Sequence, residues 1–142
     1  MVTSDRIACP LCTTPGGALL WRDVRLRAVL VDEPDYTGFC RVIWNSHEKE
    51  MTDLATADRD HLMAVVFEVE GVLRDVLAPD KINLASLGNL TPHLHWHVIP
   101  RWRDDPHFPG SIWGERLREP AVRALPDLET TLRDRLATRL GR

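Results

Sequence analysis

The sequence predicts an α+β domain, an antiparallel sheet packed by one long helix and followed by a helical tail. Strand-like runs fall in two groups on either side of a long stretch of helical periodicity, and they do not alternate with helices. That central stretch repeats its apolar residues at helical spacing from Leu62 to Val76. With 142 residues, 44% hydrophobic and 27% charged, the chain suits a single domain over 1–142 with a real core.

The elements follow in order. Residues 1–18 read as a short N-terminal segment carrying Cys9-Pro10-Leu11-Cys12 and a turn at Gly16-Gly17. Trp21-Arg22-Asp23 leads into a strand over 25–31, and loop chemistry follows over 32–38. Phe39 to Trp44 reads as a second strand, closed by Asn45-Ser46-His47. A short helical piece fits 48–55. The long helix starts near Thr56 or Asp58, either of which suits an N-cap, and Pro79 stops it. Its apolar face is Leu62, Val65, Val66, Val69, Val72, Leu73 and Val76. Residues 82–87 and 93–99 read as third and fourth strands, and 104–114 as loop. A helical tail occupies 115–142, with helix over 120–140 interrupted or restarted at Pro126.

The formal net charge of −3, with no block of like charge, argues against a general nucleic-acid binder. No apolar run is long enough to cross a bilayer, and Met1–Arg6 lacks a secretory apolar segment, so a cytoplasmic protein is expected. Three cysteines, an odd number, fit reduced thiols better than a disulfide framework.

The chemistry concentrates in Pro92-His93-Leu94-His95-Trp96-His97-Val98-Ile99-Pro100-Arg101. Strand alternation puts His93, His95 and His97 on one face, roughly 7 Å apart along the backbone, with Leu94, Trp96 and Val98 on the other. Three imidazoles in strict alternation suit phosphate chemistry. The alternatives are a tris-histidine metal site and a purely structural role. Gly88-Asn89 lies just upstream, where a glycine lets backbone approach a ligand, and Asn83 and Asn89 can donate amide hydrogens to phosphate oxygens.

His93-Leu94-His95-Trp96-His97-Val98-Ile99 resembles the histidine-triad (HIT) signature, histidine–hydrophobic three times and then two more hydrophobics. The resemblance runs from about Cys9 to Trp113 and implies a HIT-like fold. It implies that His95 attacks an α-phosphorus, that His97 assists the leaving group and that His93 supports through hydrogen bonds. It also places Asn83, Gly88 and Asn89 at phosphate and Asp32 at the ribose hydroxyls, beside a solvated-turn alternative for Asp32. The transferase branch has glutamine in place of the third histidine, so His97 favours hydrolysis. No DNA-binding finger follows, so DNA deadenylation is not expected. The implied partners are an adenine nucleotide and a second copy of the chain, as a homodimer. Implied substrates are adenylated compounds or dinucleoside polyphosphates, and a nucleotide-binding or sensing module with little turnover remains the alternative.

Cys9-x-x-Cys12 alone fits a redox motif, a metal knuckle or chance. Some members of the resembled family bind structural zinc through an N-terminal cysteine pair and two histidines. The resemblance therefore implies a closed site of Cys9, Cys12, His47 and His93, against two free thiols and a helix-capping histidine. Zinc there leaves His95 and His97 free for chemistry. Cys40 reads as a small buried hydrophobe. Arg101 suits either phosphate or an ion pair with Asp104 or Asp105. His61 reads as structural or solvated. His107 reads as a loop residue, and Trp113 as a cover for the nucleotide or a dimer contact.

Overall fold

The structure, a computed structural model, describes residues 8–121 and 123–142. The expected lack of a secretory segment at Met1–Arg6 and the part of the tail at Val122 fall outside the described residues. The elements are α1 (Pro10–Thr13), β1 (Ala18–Arg22), β2 (Leu26–Leu30), β3 (Cys40–Trp44), a 3-10 turn (Met51–Asp53), α2 (Thr56–Leu77), β4 (Lys81–Ala85), β5 (His95–Arg101) and α3 (Leu128–Leu140). The five strands form one antiparallel sheet in the order β1-β2-β3-β5-β4. No helix among the described residues is long and apolar enough to cross a membrane.

Cross-strand partners share a face, so the register sorts the sheet into two sides. One side carries Leu26, Ala28, Val42, Trp44 and Val98 and is covered by the α2 stripe Leu62, Val65, Val66, Val69, Val72 and Leu73, with Leu132 and Leu136 of α3. Burying each such side chain contributes about 1.5–3 kcal/mol before entropy is counted. The other side is only partly covered. Cys9 and Leu11 sit on Val29 and Ile43 at one end, and Tyr36 and Phe39 gather with Ile99 and Ile112 at the other. The gap between these patches is a cleft lined by Arg41, His95 and His97.

β1 departs from the sequence reading, which placed no strand there. Its signal was Leu19-Leu20-Trp21 between the Gly16-Gly17 turn and Asp23. Asp23 Oδ1 accepts from the Arg25 and Leu26 amides at 2.8 and 2.9 Å, closing a hairpin into β2. Its other oxygen meets His61 Nε2 at 2.6 Å, so His61 ties this hairpin to α2.

The α2 cap also differs. Ala55 is the N-cap and makes no side-chain bond, Thr56 opens the helix, and Asp58 places its acid in the first turn. That position suits the positive end of the helix dipole. Ala78 ends the helix in the left-handed region (φ 45°), just before Pro79. The helical piece expected over 48–55 is only the turn at Met51–Asp53, where the Glu50 amide donates to Asp53 Oδ2 at 3.2 Å. Trp96 donates its indole N–H to Met51 Sδ at 3.4 Å and holds this turn against the sheet.

β4 and β5 are offset from the expected 82–87 and 93–99. The ladder ends at Leu94, whose carbonyl still accepts from the Trp44 amide at 3.1 Å while its own amide donates to the Glu48 carbonyl at 2.7 Å, so His93 lies before the strand proper. Pro100 is tolerated within β5 because pairing with β3 stops at Cys40–Val98. The tail helix is shorter than 120–140. With proline at 120 and 126, helix begins only at Leu128. α3 is fastened by Arg139 to Glu68 and Asp75 of α2 and by Arg133 to the Leu19 carbonyl.

Candidate functional site

Register builds the floor of the cleft. Arg41 of β3 lies opposite His97 of β5, and Ile43 opposite His95, so Arg41, His95 and His97 share the open face. Leu11 and Thr14 form one wall, the 87–91 loop the second and Trp113 the third, enclosing about 470 Å³.

Hydrogen bonds set the tautomers. His95 Nδ1 lies 2.5 Å from the His93 carbonyl, which only accepts, so the Nδ1 carries the proton. Its Nε2 is left as a lone pair without a partner among the described residues. Burial pushes the His95 imidazole below its ordinary value, and Arg41 adds to this while the His93 carbonyl opposes it. The group is therefore neutral near pH 7. His97 Nδ1 accepts from Arg41 Nε at 3.3 Å, which leaves its proton on Nε2, 3.4 Å from the Leu87 carbonyl. Three rings surround it: His95 at 4.8 Å, Trp113 at 5.0 Å and Phe39 at 5.6 Å between centroids. Burial, then the neighbouring His95 and Arg41, pull the His97 pKa down to about 4.

His93 takes a different path from its two neighbours. Its Nε2 donates to the Trp44 carbonyl at 2.5 Å, which leaves Nδ1 as a lone pair 3.4 Å from both Cys9 and Cys12 Sγ. His47 Nδ1 lies 3.3 Å from Cys12 Sγ. The four ligand atoms of Cys9, Cys12, His47 and His93 all lie within 4.8 Å of one another, so this cluster could bind a metal. A tetrahedral zinc with sulfur at about 2.3 Å and nitrogen at about 2.0–2.1 Å implies sulfur–nitrogen edges of about 3.5 Å, which these separations match. Arg27 secures the segment bearing the cysteines by donating to the Leu11 and Pro15 carbonyls at 2.7 and 2.8 Å. Cys40 stands apart, buried in the core, and burial pushes its thiol up to about 12.

The remaining expected residues divide. Gly88 and Asn89 border His95 and His93, and Asn89 also lines the main cleft. A Cβ on Gly88 would come within 2.7 Å of the Thr91 carbonyl and 3.4 Å of His95 Cε1, so the loop's approach requires glycine. Asp32, two residues past β2, and Asn83 on β4 are not among the cleft-lining residues. The Oδ1 of Asn83 accepts from Arg101 Nη1 at 2.7 Å. Arg101 is buried and paired with Asp105, and Asp104 pairs with Arg123. His107 hydrogen-bonds the Tyr36 hydroxyl and stacks on its ring, away from the triad.

Sequence reasoning missed Arg41. It reads as one polar residue in an apolar strand, and only the β3–β5 register brings it beside His97. Arg27 was missed because its partners, the Leu11 and Pro15 carbonyls, lie in the separate N-terminal segment.

Comparison with known proteins agrees with this fold. AP-4-A phosphorylase of Mycobacterium tuberculosis is 29% identical over 139 residues, spanning 94% of this chain and 68% of that protein. A histidine triad protein from Bradyrhizobium japonicum superposes with a TM-score of 0.74 at 23% identity, over 86% of this chain and 92% of the other. A zinc-bound histidine triad family protein from Mycobacterium smegmatis gives a TM-score of 0.63 at 24% identity, over 94% and 96% of the two chains. The HIT domain profile matches residues 17–104, a span that holds the open face of the sheet, its three histidines and the glycine loop, and the chain belongs to the HIT domain family.

Proposed function

We propose that this protein cleaves adenylated compounds or dinucleoside polyphosphates at the α-phosphate through a nucleotidyl-histidine intermediate. One observation carries the reading: the His93 carbonyl holds the Nδ1 proton of His95, leaving a neutral imidazole with its Nε2 lone pair in a cleft of nucleotide size. Nε2 attacks the α-phosphorus, and the bond to the leaving group breaks. His97 meets the departing atom through its Nε2–H. Water then attacks the phosphorus, restoring His95 and releasing the nucleoside monophosphate. Gly88 and Asn89 border the phosphate end of the cleft. Asp32 and Asn83 are not among the residues that line it. Leu11 and Trp113 offer apolar walls to a base.

The cysteine–histidine cluster takes a structural zinc in this reading. Two thiols and two imidazole lone pairs form a closed donor set that leaves His95 and His97 outside it. The zinc-bound relative from Mycobacterium smegmatis supports the assignment.

The name of the Mycobacterium tuberculosis relative favours a second reading, in which phosphate replaces water in the second step. Both readings share the first step. The experiment measures AMP and ADP release from diadenosine tetraphosphate and adenosine phosphoramidate, with and without inorganic phosphate, in wild type and His95→Ala. AMP release by wild type alone supports hydrolysis, and phosphate-dependent ADP supports phosphorolysis. Binding without release from either substrate would leave a nucleotide-binding module.

A further inference from the structure

Arg41 is a cation on the cleft floor with an unused fork. Its Nε is committed to His97 Nδ1. Among the described residues, neither Nη has a hydrogen-bond partner and no carboxylate lies within ion-pair distance. Glu33 acts on it only at longer range, and burial lowers its pKa. Its guanidinium carbon lies 5.3 Å from the Phe39 ring centroid, which helps hold it in place. A half-buried guanidinium without a counter-ion is costly unless an anion completes it, and its two Nη groups match two oxygens of a phosphate. The position limits which phosphate. His95 and Arg41 flank His97 on adjoining strands, and His97 is the residue assigned to the leaving group.

We propose that Arg41 binds the phosphate next beyond the scissile bond, on the leaving-group side, and so selects polyphosphate leaving groups over uncharged ones. This assignment rests on the function proposed above. With a dinucleoside polyphosphate, the His95 Nε2–phosphorus bond forms as the bond from phosphorus to bridging oxygen breaks. The electron pair stays on that oxygen, and the departing polyphosphate carries the added charge against Arg41. With adenosine phosphoramidate, the phosphorus–nitrogen bond breaks, the nitrogen takes up a proton and ammonia leaves. No second phosphate is then present for Arg41 to hold.

The test compares wild type, Arg41→Gln and Arg41→Lys on diadenosine tetraphosphate and adenosine phosphoramidate, with calorimetric binding of ATP and AMP. Arg41→Gln is expected to lower kcat/KM on the tetraphosphate by about 10²–10³-fold and on the phosphoramidate by less than about tenfold. ATP binding should weaken while AMP binding stays within about threefold, and Arg41→Lys should recover part of the loss because it keeps the charge without the fork. Equal losses on the two substrates, or AMP weakened as much as ATP, would overturn the assignment and leave Arg41 as a positioning residue for His97. Unchanged ATP binding would overturn it as well. If wild type cleaves neither substrate, the catalytic reading fails, and the difference between ATP and AMP binding still decides the phosphate assignment.

Discussion

Arg101 and Asp105, four residues apart, form a two-pronged ion pair with Nε–Oδ2 at 2.7 Å and Nη2–Oδ1 at 3.1 Å, their side chains only 3% and 2% exposed. Burial alone raises the Asp105 pKa. Arg101, together with the amides of His107 and Phe108, more than offsets this and holds it below the ordinary 3.8. The pair joins the end of β5 to the loop that follows, and Arg101 continues to Asn83 and the Gly110 carbonyl.

Removing one partner leaves the other charge buried. Asp105→Asn is expected to lower unfolding free energy by about 3–5 kcal/mol at pH 7, measured by urea titration. The sign with pH follows from the depressed pKa. This carboxylate's contribution is present above 3.8 and is lost as pH falls through its lower folded value. Wild type should therefore lose stability relative to Asp105→Asn across that acidic window. A difference that stays constant with pH would contradict the ion-pair account.

Mutation of the third histidine should separate the two chemical steps. His97→Gln keeps a hydrogen-bonding side chain but cannot exchange a proton as imidazole does. Intact mass spectrometry after mixing with adenosine phosphoramidate is expected to show a persistent adenylyl adduct in His97→Gln and none in His95→Ala. An adduct that survives in His95→Ala would assign the nucleophile elsewhere.

Elemental analysis of protein purified without chelator should find about one zinc per chain. Cys12→Ser should lose it and unfold at lower temperature, whereas His95→Ala should keep it, because His95 lies outside the cluster. Loss of zinc in His95→Ala would favour a metal centre built from the triad.

Gly88→Ala tests the close loop. The new Cβ would lie 2.7 Å from a backbone oxygen, so the 88–91 turn must move relative to His95. Turnover is expected to fall by about 10²-fold with little change in melting temperature. Retained turnover would show that the loop does not position substrate.

Ala78→Gly should act in the opposite direction on stability. Ala78 holds φ 45° at the end of α2, where glycine carries no Cβ penalty. A gain of about 0.5–1 kcal/mol in unfolding free energy is expected.

Much of this was legible in the sequence for identifiable reasons. The α2 stripe from Leu62 to Leu73 has a period that only a helix satisfies, and all six of its central residues are buried as that pattern requires. Alternation placed His95 and His97 together because both lie within β5. It started the strand two residues early, because the Leu94 amide bonds to Glu48 outside the ladder, an interaction between distant segments that local pattern does not encode, while His93 still meets the cysteines expected of it. β1 was missed because its five residues carry a bulge between Leu19 and Trp21 that blurs the alternation. Arg41 acquires meaning only from its cross-strand neighbour. Asp32 and Asn83 differ again: their chemistry suits ribose and phosphate, and neither is among the residues that line the cleft.

His93 faces two ways. Its ring addresses Cys9 and Cys12, and its carbonyl accepts the hydrogen bond from His95 Nδ1–H that fixes the His95 ring. The cysteine turn and the His95 ring are thus joined through a single residue. Anyone fusing a tag or label next to Cys9, or alkylating the exposed Cys12 to immobilise the protein, should expect the disturbance to register at the far side of that imidazole, as an altered rate and not merely a looser terminus.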